Sequence, residues 1–533
     1  MPFPGAPFRM LFVPRPRRAV LCGLLRVASL LALATAPSAA GATEDRSVPE
    51  RALIVVGPWE VGGLDPASNG HAFTRLQVAE TLVGVDAAGA PAPGLATGWT
   101  VAPDGLTWRL PVRAGVRFHD GSLLTAEVAA ESLRRAQANV GPLSRVPVAA
   151  ISAEDGAVVV VLQRPFTLLP AFLANHTTII LAPASYDPSG RVVRVIGTGP
   201  YRAVTVAPPL RIELERFDDW WGGRPAIARA RYLAVGQGET RALMAESGEA
   251  DVVVSILPVS LARLRRDPKL AVQTVTPPRT RLLKLNAGSP LFSDPRTRRA
   301  LSLALDRAGL AKVLLRNPGL GADQLFPPAV SGWHAEGLPP LTRDLAQARL
   351  LLAQAGWRPG PDGILERDGR RFAATLRTYS AWPELPPLAA AIQAQAREVG
   401  INLSISIGNT SDIPARHRDG SLDLGLVSRS FAMIPDPLGT MLQDFGPDGG
   451  DWGAMNWSST ETAALLNRLA VLADPAEREP LQRKLAEILQ AELPVIPVTW
   501  AELAVVANRR VAGVRADPLE RSYGLAEMHW RTP

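Results

Sequence analysis

The sequence predicts an α/β protein of two lobes, and three observations carry that expectation. A chain of 533 residues exceeds one hydrophobic core, because single cores stop growing near ~250 to 300 residues. Strand patterns and capped helices alternate along it, as in mixed α/β architectures. No repeat, low-complexity tract or long linker separates the halves. The lobes are therefore expected to be joined by strands crossing between them, with 280–286 and 498–506 as candidates.

The elements follow in chain order. Arg51-Ala-Leu-Ile-Val-Val-Gly57 is an apolar run closed by glycine, which reads as a buried strand. Residues 107–113 alternate apolar and polar after the turn pair Asp104-Gly105, and Pro111 suggests an edge position. Thr125 can cap a helix over 126–138, with Glu127 in its positive first turn. Asp294-Pro295 opens a helix expected to run towards Leu315, and Asp344 opens another that Gly356 ends. A helix from about Glu384 stops at Gly400, before the alternating strand 401–407. Asp474-Pro-Ala-Glu477 starts a helix to about Leu493, and 495–506 is apolar enough for buried strands.

Residues 1–42 are expected to be a secretory signal: basic through Arg26, apolar from Val27 to Ala34, then small residues that fit cleavage after Ala40 or Ala42. The apolar run is far shorter than the ~20 residues that span a bilayer. Arg17-Arg18 resembles a twin-arginine signal weakly, and general export is favoured. The region holds five arginines and no acid, so the formal charge of +7 falls to +2 without it. A nucleic-acid partner is thereby disfavoured. Cys22, the only cysteine, precedes the apolar run, whereas a lipoprotein cysteine follows it. The mature chain then has no thiol for a disulfide, a metal or catalysis. The expected product is a periplasmic monomer without a cofactor.

The sequence contains no phosphate loop, no Gly-x-Ser-x-Gly elbow, no His-Glu-x-x-His pair and no dinucleotide fingerprint. Its six histidines are scattered, and none pairs with another at helical ligand spacing, so no metal site is predicted. Glu213 and Glu215 share one face of an expected strand, while Asp218-Asp219 precedes a turn at Trp220-Trp221-Gly-Gly. Hydrolases that use two carboxyls set them across a cleft, whereas both of these pairs have ordinary structural readings. No catalytic residue is expected, and a secreted hydrolase is the alternative of another class.

Several separated segments resemble the bacterial extracellular solute-binding proteins of family 5, the peptide- and nickel-binding receptors of ABC importers. They include Pro93-Gly-Leu-Ala-Thr-Gly-Trp99, Val116-Arg-Phe-His-Asp-Gly-Ser122, Gly197-Thr-Gly-Pro-Tyr201, Arg216-Phe-Asp-Asp-Trp-Trp-Gly-Gly223, Asp294-Pro-Arg-Thr-Arg-Arg-Ala-Leu301 and Ala355-Gly-Trp357. Gly197 and Gly199 read as a tight turn feeding Tyr201, and Trp99 and Trp357 as core. The resemblance implies a type II periplasmic binding fold of the large class. Lobe I would span 43–279 with an inserted subdomain, lobe II 280–497, and a return segment 498–533 would complete lobe I. A solute would be captured between the lobes and delivered to membrane permease subunits.

The resemblance also bears on the ligand. Peptide-binding members often carry an aspartate three residues before the Asp/Glu-Pro step, where this chain has Met433. Without that carboxylate a buried ammonium loses a charge-assisted hydrogen bond. A metal chelate or small organic solute is therefore favoured, with a dipeptide or oligopeptide as the alternative. Ala415-Arg-His-Arg-Asp-Gly420 resembles the nickel-type branch, although Pro142 and Leu143 occupy a region where its members are expected to have arginine. The candidate cleft residues are His71, His176, Arg429, Phe431, Met433, Trp457 and Arg521. Aromatics would give contact area and arginines would pair an anionic group, while Phe431 and Met433 could be core and Arg429 could hold an internal carboxylate.

Overall fold

A computed structural model of the chain describes residues 51–86, 89–139, 141–447 and 449–532. The expected signal and Cys22 lie outside them. Two mixed sheets organise the molecule. The first has seven strands in the order Leu270–Val275, Leu503–Asn508, Val252–Val254, Leu53–Gly57, Arg229–Ala234, Arg211–Arg216, Tyr201–Ala207. Leu53–Gly57 runs parallel to both neighbours, and such strands are covered on both faces. Its side chains divide accordingly. Leu53 and Val55 pack with Phe73 of the helix Pro66–Arg75 and with Leu76, which caps its end, while Val56 packs with Ala242, Ala245, Leu261 and Leu264 of two helices on the other face.

The second sheet has five strands in the order Asn402–Gly408, Ala373–Tyr379, Leu424–Ser430, Arg279–Leu285, Val495–Trp500. Arg279–Leu285 is buried at every position although it reads Arg-Thr-Arg-Leu-Leu-Lys-Leu. Buried polar groups need partners, and each of these has one. Arg279 Nε donates to Glu520 at 2.7 Å, Thr280 to the Leu325 carbonyl at 2.6 Å, and Arg281 to Glu384 at 2.9 Å. Lys284 Nζ donates to the Gly450 and Gly453 carbonyls, and burial lowers its pKa to about 7.

The chain passes between the sheets at 276–278 and at 501–502. Both passages are therefore short irregular segments. The expected crossing strand 280–286 lies within the second sheet, and a boundary at 497/498 would cut the continuous strand Val495–Trp500.

A four-stranded unit is inserted after the first helix, in the order Thr100–Val101, Thr107–Pro111, Ala157–Leu162, Val148–Glu154, beside the helix Ala126–Ala138. Pro111 ends a strand that is second from the edge, and the edge itself is only two residues long. One continuous apolar cluster includes Trp108, Leu133 and Val160 of this unit together with Leu283, Leu426 and Ile496 of the second sheet. Thr167 strengthens that contact, its N–H and Oγ–H both donating to the Ala470 carbonyl at 3.0 Å.

The caps form as their side chains require: Thr125, Asp294, Asp344 and Asp474 each accept from a first-turn N–H. The helix expected to reach Leu315 is two helices, Pro295–Ala304 and Arg307–Leu314. Leu305 turns extended and Asp306 caps the second helix by accepting from Gly309 N at 2.9 Å. The reason for glycine at 197 and 199 also differs from expectation. Neither has positive φ, but a Cβ at either would lie 2.2 Å from a carbonyl oxygen, of Val78 and Gln77 respectively. Close backbone approach, rather than a left-handed turn, demands the missing side chain.

Candidate functional site

Two distant histidines meet on the first lobe. His71 lies on the helix Pro66–Arg75 and His176 begins the short helical turn His176–Thr178, and their rings stand edge to face with centroids 5.8 Å apart. Gly70 makes the approach possible, because a Cβ there would sit 2.3 Å from the His176 carbonyl oxygen. Burial, followed by the Arg75 charge, lowers the His71 pKa to about 3. Burial and then the charges of His71, Arg521 and Arg75 hold His176 well below its usual value. Both imidazoles are thus neutral, the form in which histidine binds metals.

Arg521 closes this corner by donating to the Ala174 carbonyl, and burial lowers its pKa to about 10. Asn175 faces the second lobe. It is 1% exposed, donates from Nδ2 to the Met433 carbonyl at 2.7 Å and accepts from Thr177. Met433 therefore meets the first lobe through its main chain.

From Arg75 a stack of rings and guanidinium groups links the lobes. Arg75 lies 4.2 Å over Trp59, Trp59 meets Trp382 edge to face at 5.9 Å, and Arg279 lies 4.5 Å over Trp382. Tyr232 positions Trp59 by donating to its carbonyl at 2.7 Å. Glu520 joins the two arginines, accepting from Arg75 at its carbonyl and from Arg279 at its carboxylate.

The structure brings His71, His176, Arg521 and Met433 into this region and places three other candidates elsewhere. Arg429 holds the internal carboxylate of Asp444 through bonds of 2.6 and 2.9 Å. Phe431 is 1% exposed and packs 4.6 Å from Phe326. Trp457 is buried against Phe445 and donates to Glu492 at 2.7 Å. All three belong to the interior of the second lobe. Sequence reasoning missed Gly70, Asn175, Trp59 and Trp382, whose roles depend on contacts across the fold. Only the proximity of Gly70 to His71 in the chain offered a signal.

The acids near Met433 already have partners. Asp436 accepts from Arg478 at 2.7 Å and from Leu438 N at 2.8 Å, while Asp444 holds Arg429. The remaining suspected acid pairs are also structural: Glu213 binds Arg231 at 2.8 Å, and Asp218 binds Arg216 and Arg224. No cluster of three or more metal-ligating side chains occurs among the described residues.

Comparison with known proteins bears on the family and the fold. A profile of the family described as bacterial extracellular solute-binding proteins, family 5 Middle, matches residues 90–452. The nickel-binding periplasmic protein of Escherichia coli (strain K12) is 27% identical over 532 residues, covering 94% of this chain and 96% of that protein. The glutathione-binding protein GsiB of Salmonella typhi is 26% identical, over 79% of this chain and 82% of its own. Among solved structures, NikA from Brucella suis in complex with Fe(III)-EDTA superposes with a TM-score of 0.80 at 24% identity, over 90% of this chain and all of that one. The fold is accordingly that of the type II periplasmic binding proteins. With two thirds of its length matched by the profile, the chain belongs to the bacterial extracellular solute-binding proteins of family 5.

Proposed function

We propose that this chain is a periplasmic receptor which closes over a metal chelate or small organic solute and presents it to the permease of an ABC importer. The observation that carries the ligand class is the state of the acids beside Met433. Asp436 and Asp444 are held by Arg478 and Arg429, which leaves neither for the α-ammonium of a peptide. A desolvated ammonium without a carboxylate is strongly disfavoured. The neutral His71 and His176 suit a metal carried as cargo, with a chelator completing its coordination. Similarity to a nickel-binding protein and to NikA in complex with Fe(III)-EDTA supports the same class. The expected signal at 1–42 supports export.

Closure follows from differential affinity. A solute touching both lobes stabilises the closed state by the contacts it lacks in the open one. The two short passages at 276–278 and 501–502 are natural places for the backbone rotation.

A thermal-shift screen of the mature protein tests this reading with nickel–histidine, free nickel, dipeptides, longer peptides and glutathione. Ligand at 100 times its Kd stabilises a fold by about 2.7 kcal/mol. Stabilisation by nickel–histidine or another chelate is expected. A stronger response to dipeptides with free amino termini would replace it with the peptide-receptor reading. Chemical conversion of the bound solute, read by mass spectrometry, would favour the hydrolase alternative.

A further inference from the structure

Arg145 and Arg164 stand beside a cavity of about 800 Å³ between the inserted unit and the second lobe, which belongs to the solute cleft of the reading above. A different group of unmatched cations lies at the other end of the first sheet. Leu53–Gly57, Val252–Val254 and Leu270–Val275 all run the same way, because the first two pair in parallel and Leu503–Asn508 runs antiparallel to the last two. The passages at 276–278 and 501–502 both leave from the carboxyl ends of these strands, so their amino ends form the edge away from both passages. Arg51 precedes the first strand and Lys269 the last, while Arg265 and Arg266 follow the helix Pro258–Leu264 that returns the chain to this edge. Leu503–Asn508 ends here with Arg509 and Arg510.

Backbone bonds knit this edge together: Arg509 N donates to the Lys269 carbonyl and Arg531 N to the Arg510 carbonyl, both at 2.8 Å. Its buried carboxylate, Asp251, is held by Arg510 at 2.6 Å and by Arg51 at 3.3 Å. Glu239 and Glu246 on the neighbouring helix are both held by Arg263 at 2.6 Å. The side chains of Arg265, Arg266, Lys269, Arg509 and Arg531 are exposed, and none has an ion pair or hydrogen bond among the described residues. Asp267 and Glu249 are the other acids of the adjoining turns. Four adjacent strands carry the edge, and at about 4.8 Å between strands it is roughly 15 Å across.

We propose that this edge of the first lobe is a docking surface for an anionic phospholipid membrane. Cations spread so widely cannot converge on one small anion. A lipid surface suits them, because its headgroups diffuse laterally and adopt whatever spacing the protein presents, whereas a folded partner must supply acids at fixed positions. Trp530, the aromatic residue beside this edge, has Arg51 5.2 Å over its ring, which leaves little platform for stacking nucleic-acid bases. Each Lys or Arg near an anionic surface gains about fivefold in partition, and the attraction fades within a Debye length. The whole surface lies on one lobe, away from the passages that closure would bend, so docking is independent of solute. It holds the protein at the membrane in which a permease sits, and it stands or falls separately from the ligand reading.

Co-sedimentation of the chain from residue 43 with lipid vesicles tests the proposal. That chain keeps Glu44, Asp45 and Glu50, the acids preceding Arg51, and lacks the arginines of the expected signal. Binding to mixed phosphatidylglycerol and phosphatidylcholine vesicles is expected at low salt, with loss near ~0.5 M salt and none on phosphatidylcholine alone. The variant Arg265→Glu/Arg266→Glu/Arg509→Glu is expected to lower the partition at least roughly hundredfold, while lysine at the same positions keeps most of it. Lys312→Glu/Arg370→Glu/Arg468→Glu makes the same charge change at exposed positions of the second lobe and should keep most of it too. Unfolding curves confirm that each variant is folded. No binding to the mixed vesicles, equal binding to phosphatidylcholine, equal losses in the two glutamate variants, or tighter binding to heparin than to vesicles would overturn the proposal. Nickel–histidine should leave the partition unchanged, and binding that appears only with solute would overturn docking through one lobe. Intact vesicle binding beside a failed thermal-shift screen overturns the ligand class alone.

Discussion

The His71 corner and the Arg145 cavity are both rich in basic groups, yet they treat charge in opposite ways. Around His71 the arginines are satisfied from within: Arg75 and Arg279 by Glu520, and Arg521 by a carbonyl. Beside the cavity Arg145 and Arg164 are exposed and have no side-chain ion pair or hydrogen bond among the described residues. A satisfied charge fixes structure, whereas an unsatisfied one beside a large cavity is available to a ligand. The same residue type therefore carries different information according to its partners.

Paired and unpaired arginines should separate most widely in stability. Arg281 is 1% exposed beside Glu384 at 9%, so Arg281→Met leaves a buried carboxylate without its cation. A loss of about 3–5 kcal/mol is expected on urea unfolding. Arg164→Met, at an exposed and unpaired position, should change stability by no more than about 0.5 kcal/mol. Similar losses in the two would remove the distinction.

A smaller effect is expected at Gly70, where an added Cβ meets the His176 carbonyl at 2.3 Å. Gly70→Ala should cost about 1–3 kcal/mol by overpacking and weaken any ligand that needs both histidines. An unchanged melting profile would contradict the close approach.

Acid sensitivity sharpens the comparison further. The His71 pKa falls from 6.5 unfolded to about 3 folded, so the unfolded chain binds more protons in that window. This contribution is fully present above pH 6.5 and declines as pH falls towards 3. Burial acts in the opposite sense at Glu80, raised to about 7, which makes the difference between wild type and His71→Leu the informative curve. The variant should lose less stability than wild type between pH 6.5 and 4, and parallel curves would refute a buried neutral His71.

Local features of the fold were legible in the sequence because their causes are local. A capping side chain, a proline in the first turn and a following glycine act within a few residues, and the helices at 126, 345, 385 and 475 begin where these signals stand. The break at Leu305-Asp306 lay within a continuous helical pattern, although Asp306 offered a cap. Family motifs carried the architecture, since the positions they mark, such as Trp357 at 1% exposure and Tyr201 fully buried, are structural. The site was less legible. Whether Arg429 faces a ligand or Asp444, and whether Trp457 faces solute or Glu492, depends on a partner 15 or 35 residues away. The stack from Arg75 through Trp59 and Trp382 to Arg279 joins four segments that share no motif. That Arg145 and Arg164 have no partner among the described residues is visible only in the folded chain.

The most direct test is a crystal structure of the mature chain with the solute that stabilises it most. The account predicts one intact ligand between the lobes, touching residues of both. A ligand confined to one lobe, or one cleaved in place, would contradict it.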